Sequence, residues 1–188
     1  SSIFDEFSRA MLEKAYKELC VHTGRLIVRS SGIEEDGCRK SYAGIFKSVS
    51  NIQSFADMLS AIKTVWCSYF TETTGGYHSG DPITAAPVLI QSMIQCDISG
   101  VAFTRNPVSR KRELIIEACA GNSETIINNK RKAVRYVFPA NKIHFDKLLS
   151  KKQITELKVL GEHLEDDLGY PCDFEWGIRG EELYLFQA

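Results

Sequence analysis

Neither sign of charge dominates this sequence of 188 residues. It has 23 lysines and arginines against 24 aspartates and glutamates, a net charge of -1 and an isoelectric point near 6.4. That balance gives no whole-chain argument for binding nucleic acid or an anionic membrane. No apolar run reaches the length of a membrane span and no signal-peptide pattern is present, so the expectation is a cytoplasmic protein without membrane association. The six cysteines are Cys20, Cys38, Cys67, Cys96, Cys119 and Cys172. They form no C-x-x-C pair, and no histidine stands at metal-ligand spacing from another ligand type, which argues against zinc. Several lie among apolar neighbours, as in Val65-Trp66-Cys67, where a reduced cysteine acts as a small hydrophobe. A chain of this size with 44% apolar residues does not need disulfides. Also absent are the Walker A pattern G-x-x-x-x-G-K-S/T and the dinucleotide fingerprint G-x-G-x-x-G, so any nucleotide site has to be of another kind. There is no internal repeat.

What is present reads as mixed helix and strand. Phe4, Phe7, Met11, Ala15 and Leu19 recur at helical spacing, and Thr23-Gly24 ends that helix. Leu26-Ile27-Val28 is a short buried strand opening onto Arg29-Ser30-Ser31-Gly32, and a long polar loop runs on to Gly44. Phe55, Met58, Leu59, Ile62, Val65, Trp66, Tyr69 and Phe70 mark the clearest helix. Three strand-like runs follow, at 87–94, 100–105 and 113–119, with a fourth at 134–138. Ile154, Leu157, Leu160, Leu164 and Leu168 predict a last helix closed by Gly169-Tyr170-Pro171. Strands and helices do not alternate regularly, which argues for an α+β fold built on antiparallel sheet. Of two local basic runs, Arg105 to Arg112 and Lys130 to Arg135, the second reads as a solvated turn.

The end of the chain, Cys172 to Ala188, carries the most information. Two alternating segments flank Arg179-Gly180-Glu181-Glu182, the pattern of a hairpin. Phe174, Trp176 and Ile178 share one face of its first strand, Asp173 and Glu175 the other. On the second strand Leu183, Leu185 and Gln187 share a face. With a three-residue loop, Arg179 faces Leu183, Gly177 faces Leu185 and Glu175 faces Gln187, and a carboxylate and an amide oxygen then suit a hard cation such as Mg2+ held against a phosphate. A two-residue loop breaks that pairing, and a solvated edge hairpin is the alternative. Arg29, at the end of an apolar strand, offers a planar fork to an anion, and the glycines and hydroxyls of the following loop could line a phosphate site.

Five segments, in order, carry a resemblance. They are Val28-Arg29-Ser30-Ser31-Gly32 through Ser41-Tyr42-Ala43-Gly44, the helix around Ala61 to Phe70, and Val88 to Ile94 continuing into Ser99 to Pro107. The last two are Glu113 to Glu124, and Asp173-Phe174-Glu175-Trp176 through Gln187-Ala188. The chain resembles the nucleotide-binding domain of the phosphoenolpyruvate synthase and pyruvate phosphate dikinase family, which includes the rifampin phosphotransferases, over nearly its whole length. The resemblance implies a single ATP-grasp-type domain over residues 1–188 that lacks its N-terminal lobe. It places Arg29 on the β- and γ-phosphates as the catalytic cation, Gly44 and Ser48 in the phosphate loop, and Gln91 near the adenine. Glu175 and Gln187 would hold Mg2+ and the phosphates. It further implies ATP as cofactor and a kinase in the full-length parent. That kinase would phosphorylate a histidine on a separate swivelling domain, for transfer to pyruvate, water or a small-molecule hydroxyl bound on an acceptor domain.

The sequence departs from the family in three places. The family's glycine-rich lysine segment has no counterpart before Phe4, and the Arg that follows Gln-Ala in the family lies beyond Ala188. The Gly-Leu-Gly-Glu turn reads Gly121-Asn122-Ser123-Glu124. Each charged contact to a phosphate is commonly worth about 1.5–3 kcal/mol, so the segment alone is expected to bind ATP weakly and to be inactive. The alternative is a nucleotide-binding or interaction module without catalysis.

Overall fold

The computed structural model describes residues 4–31, 47–70, 86–121, 133–138 and 148–188. The chain divides into two compact units, Ser1–Met93 and Ile94–Ala188, each with its own core. Helices and antiparallel sheets are mixed, an α+β arrangement.

The first unit lays two helices on one face of a three-stranded antiparallel sheet. Helix α1 (Glu6–Thr23) starts at Asp5, whose Oδ1 accepts from Ser8 N at 2.7 Å and whose carboxyl is held below its ordinary pKa by that bond. It ends at Gly24, whose φ of 67° suits glycine. Strand β1 (Leu26–Ser30) is the centre of the sheet, flanked by β2 (Ser48–Ile52) and β3 (Val88–Ser92). Helix α2 (Phe55–Ser68) is capped by Ser54, which accepts from Asp57 N. Its apolar stripe, Met58, Ala61, Ile62 and Val65, packs on Leu26 and Val28. Two sequence expectations need correction. Arg29 lies within β1, paired to both neighbours, and not after it. The strand at Ser48–Ile52 was not foreseen, because its polar residues give no alternation and its shape comes from pairing with β1.

The second unit is a five-stranded antiparallel sheet in the order β6-β5-β4-β7-β8, with helix α3 (Lys151–Leu168) against one face. The strands are β4 (Ile98–Phe103), β5 (Leu114–Ala120), β6 (Val134–Phe138), β7 (Asp173–Arg179) and β8 (Glu182–Gln187). A capping box at Ser150 and Gln153 starts α3. Leu157, Phe174 and Trp176 are fully buried between helix and sheet. Gly100 on β4 lets the strands close up: a Cβ there would collide with the Glu117 carbonyl and stand 2.9 Å from Cζ2 of Trp176.

Two substitutions test this core. Leu157→Ala removes a fully buried side chain and should lower stability by about 2–5 kcal/mol in denaturant unfolding. Gly100→Ala should cost at least as much, because the obstacle is backbone that cannot rotate away.

Candidate functional site

Alternation along each strand sorts the candidate residues onto the sheet faces that turn away from the helices. In the first unit Leu26, Val28, Val88 and Ile90 point to the core, so Ile27, Arg29, Leu89 and Gln91 occupy the other face. The register sets Arg29 opposite Ser48 on one side and opposite Leu89 on the other, with Gln91 opposite Ile27. Three of the predicted residues, Arg29, Ser48 and Gln91, are thereby brought to one face over an apolar floor of Ile27 and Leu89.

The segment that carries the other expected phosphate-loop residue, Gly44, lies outside the described residues. Both of its attachment points are described, and both are fastened to the end of α2. Ser31 N donates to the Tyr69 hydroxyl at 3.1 Å and to the Pro87 carbonyl at 3.2 Å, and Tyr69 in turn donates to Pro87 at 2.8 Å. Lys47 N donates to Ser68 Oγ at 3.3 Å, and that buried hydroxyl donates to Val65 O at 2.6 Å.

In the second unit the decisive geometry is the β7–β8 hairpin. The turn has two residues, Gly180 and Glu181, because Arg179 pairs with Glu182, Ile178 with Leu183 and Trp176 with Leu185. This corrects the three-residue loop and the face assigned to Leu183 and Leu185, both of which lie opposite core residues. An unbroken ladder would then set Glu175 against Phe186. Instead the register shifts between Trp176 and Glu175, Phe186 is the additional residue of a β-bulge, and Glu175 lies opposite Gln187. The expected pair is present, reached by a different route.

Two sets of contacts fix that route. Gly180 adopts φ 60°, and its N–H donates to Asp97 Oδ2 at 2.8 Å, while the Asp97 carbonyl accepts from Gly121 N at 2.8 Å. Behind the turn, the bare backbone of Gly177 is covered by the Phe186 ring and the Cys96 thiol: an added Cβ would lie 2.7 Å from the ring and collide with the sulfur. Burial pushes the Cys96 thiol up to about 11, so it stays neutral.

The pairing also exposes a row that local patterns did not reveal. Gln187, Glu175, Val101, Glu117 and Arg135 lie side by side across β8, β7, β4, β5 and β6. Arg135 Nε stands 3.8 Å from Glu117 Oε1. Arg135 is therefore a strand residue in an ion pair, which corrects its reading as part of a solvated turn. Glu117 carried a signal of its own, as the one carboxylate in the otherwise apolar run Leu114–Ala120. In the Arg105 run, Arg105 meets Glu165 at 3.8 Å. Of the Gly121-Asn122-Ser123-Glu124 turn only Gly121 lies among the described residues.

The chain belongs to the family described as pyruvate phosphate dikinase, AMP/ATP-binding domain, whose model matches residues 3–147. Among curated relatives, a probable phosphoenolpyruvate synthase of Archaeoglobus fulgidus is 30% identical over 93% of this chain and 28% of its own length. An uncharacterized phosphotransferase, YvkC, of Bacillus subtilis is 27% identical over 100% of this chain and 27% of its own. The prodigiosin synthesizing transferase PigC of Serratia marcescens is 22% identical over 95% of this chain and 24% of its own. The chain thus spans about a quarter of the length of these relatives. The family model ends before α3 and the hairpin, whereas the similarity to YvkC takes in the whole chain. That alignment runs over 224 positions for 188 residues, so YvkC carries several dozen residues with no counterpart here.

The packing around Gly177 gives a direct test. In the folded protein at pH 8, iodoacetamide should label exposed Cys67 and leave Cys96 unmodified, as read by peptide mass mapping. Equal rates at the two thiols would contradict the cover over Gly177.

Proposed function

We propose that this chain is the ATP-binding part of a dikinase-type phosphotransferase, with an ATP-grasp-type site to which Arg29, Gly44, Ser48, Gln91, Glu175 and Gln187 contribute. The reading rests chiefly on the hairpin, where a bulge that breaks the regular ladder sets a carboxylate beside an amide on the face away from the core. Membership of an AMP/ATP-binding family supports the nucleotide.

The donor set fits Mg2+, which takes one or two carboxylate or carbonyl oxygens from protein and completes its shell with phosphate and water. Glu175 and Gln187 would hold the ion, which would neutralise charge on the phosphate oxygens. Arg29 would fork onto the β- and γ-phosphates, with backbone N–H groups around Gly44 and the Ser48 hydroxyl beside it. Gln91, on the same face as Arg29, would meet the base above Ile27 and Leu89. Orientation and fixed positive charge are what such a set supplies to phosphoryl transfer, with no covalent bond to these residues. The acceptor would be a histidine on a swivelling domain of the full-length protein, which passes the group to pyruvate, water or a small-molecule hydroxyl. The proposed setting is the cytoplasm.

A second reading is a module that binds nucleotide without turnover. The several dozen residues that YvkC has and this chain lacks favour it. The two part in one experiment. Given ATP labelled on the transferred phosphoryl, the full-length protein should acquire an acid-labile, base-stable label on histidine. Binding with no label would leave the module. Calorimetric titration of Mg-ATP into the full-length protein should show Arg29→Ala and Glu175→Gln each weakening binding about tenfold or more, equivalent to roughly 1.4 kcal/mol or more. An unchanged affinity in both variants would overturn the site.

A further inference from the structure

We propose that Phe186 is a positioning residue: its ring, seated on Gly177 beside the Cys96 thiol, holds the bulge that turns Gln187 onto the face carrying Glu175. The inference rests on the reading of that pair as Mg-ATP ligands, and the mechanism of placement is separate from it. With a two-residue turn and an unbroken ladder, Phe186 would stand opposite Glu175 and Gln187 opposite Phe174, facing the core. One residue of slip exchanges the two faces, so the amide oxygen is either beside the carboxylate or lost to it.

The turn offers no way to absorb the extra residue. Gly180 is tied to Asp97 at 2.8 Å, and lengthening the loop would pull Leu183 off its position opposite Ile178, where it packs against the second unit's core. The extra residue is taken up between Trp176 and Glu175, next to Gly177, which itself pairs with Tyr184. Gly177 leaves a bare stretch of backbone between Trp176 and Ile178, and an aromatic ring laid over a glycine recovers burial that the glycine cannot supply. Phe186 does this from the bulge position itself, so the cover over Gly177 and the bulge belong to one residue. Cys96 closes the other side of the ring's seat and, held as a neutral thiol, brings no charge to it.

A cross-linking ruler reads the register directly. In the full-length protein, Glu175→Cys with Gln187→Cys should form a disulfide under mild oxidation, identified by peptide mass mapping. Adding Phe186→Ala should cut its yield about tenfold, adding Phe186→Leu should largely restore it, and Gly177→Ala should act like Phe186→Ala. Without the engineered cysteines, Phe186→Ala should weaken Mg-ATP binding about tenfold while Phe186→Leu stays near the parent. Thermal unfolding of each variant identifies any that fail to fold, and for those the graded Phe186→Leu and Phe186→Val pair carries the comparison. An undiminished cross-link in Phe186→Ala overturns the proposal. So does a lost cross-link with Mg-ATP binding intact, provided that Glu175→Gln and Gln187→Ala weaken binding. If those two leave binding unchanged, the Mg-ATP reading fails, and the cross-link yields still decide whether Phe186 sets the register.

Discussion

A glycine with no room above it lies next to the point where the last two strands of this chain fall out of step. Gly177 lies under a phenyl ring and a thiol, and the ring belongs to the one residue of β8 that has no partner on β7. The side-by-side placement of Glu175 and Gln187 comes with that misfit. The core face of the hairpin follows from ordinary alternation, with Phe174, Trp176 and Ile178 against α3 and its loop. The opposite face follows only if one residue is skipped, and the skipped residue lays its ring over Gly177, next to the shift.

Across the same sheet, charge is arranged in a line. Glu175 and Glu117 flank Val101 on its two neighbouring strands, and Arg135 balances Glu117 from the strand beyond. An ion pair as exposed as this adds little to stability. Its effect is electrostatic: it leaves the acidic character of the face concentrated at the Glu175–Gln187 end. In the first unit, the sheet face away from the helices carries Arg29 together with Ile27 and Leu89. Cation and carboxylate are each mounted on strands, whose positions are better defined than those of loops.

Much of this was legible in the residues. The three described helices and the strand at Val134–Phe138 follow from periodicity, and Gly24 and Gly169 end two of those helices where the sequence places them. The adjacency of Glu175 and Gln187 was legible too, though for the wrong loop length. What escaped has a common cause. Strand β2 is written Ser-Val-Ser-Asn-Ile, a sequence with no preference of its own, and it becomes a strand because β1 offers it hydrogen bonds. The cover over Gly177 includes a cysteine about eighty residues before it, and the Glu117–Arg135 pair depends on a register between strands that no local pattern encodes. Long-range pairing decides these features, and a single sequence records it only indirectly. Gly44 and Asn122 to Glu124 lie outside the described residues and keep the standing that the family resemblance gives them.

The two anchors at the end of α2 have a consequence for how this molecule can vary. Ser31 and Lys47 are held by neighbouring residues, Tyr69 and Ser68, so the two described ends that flank residues 32–46 are both fixed at the end of α2. Joining two fixed points by a longer chain segment grows only slowly more costly, by about 0.6 kcal/mol for each doubling of its length. Insertions or deletions between Ser31 and Lys47 would therefore cost the β1–β2 pairing little. Its chemistry can be rewritten by natural selection, or by a protein engineer, while Arg29 and Ser48 stay on their strands.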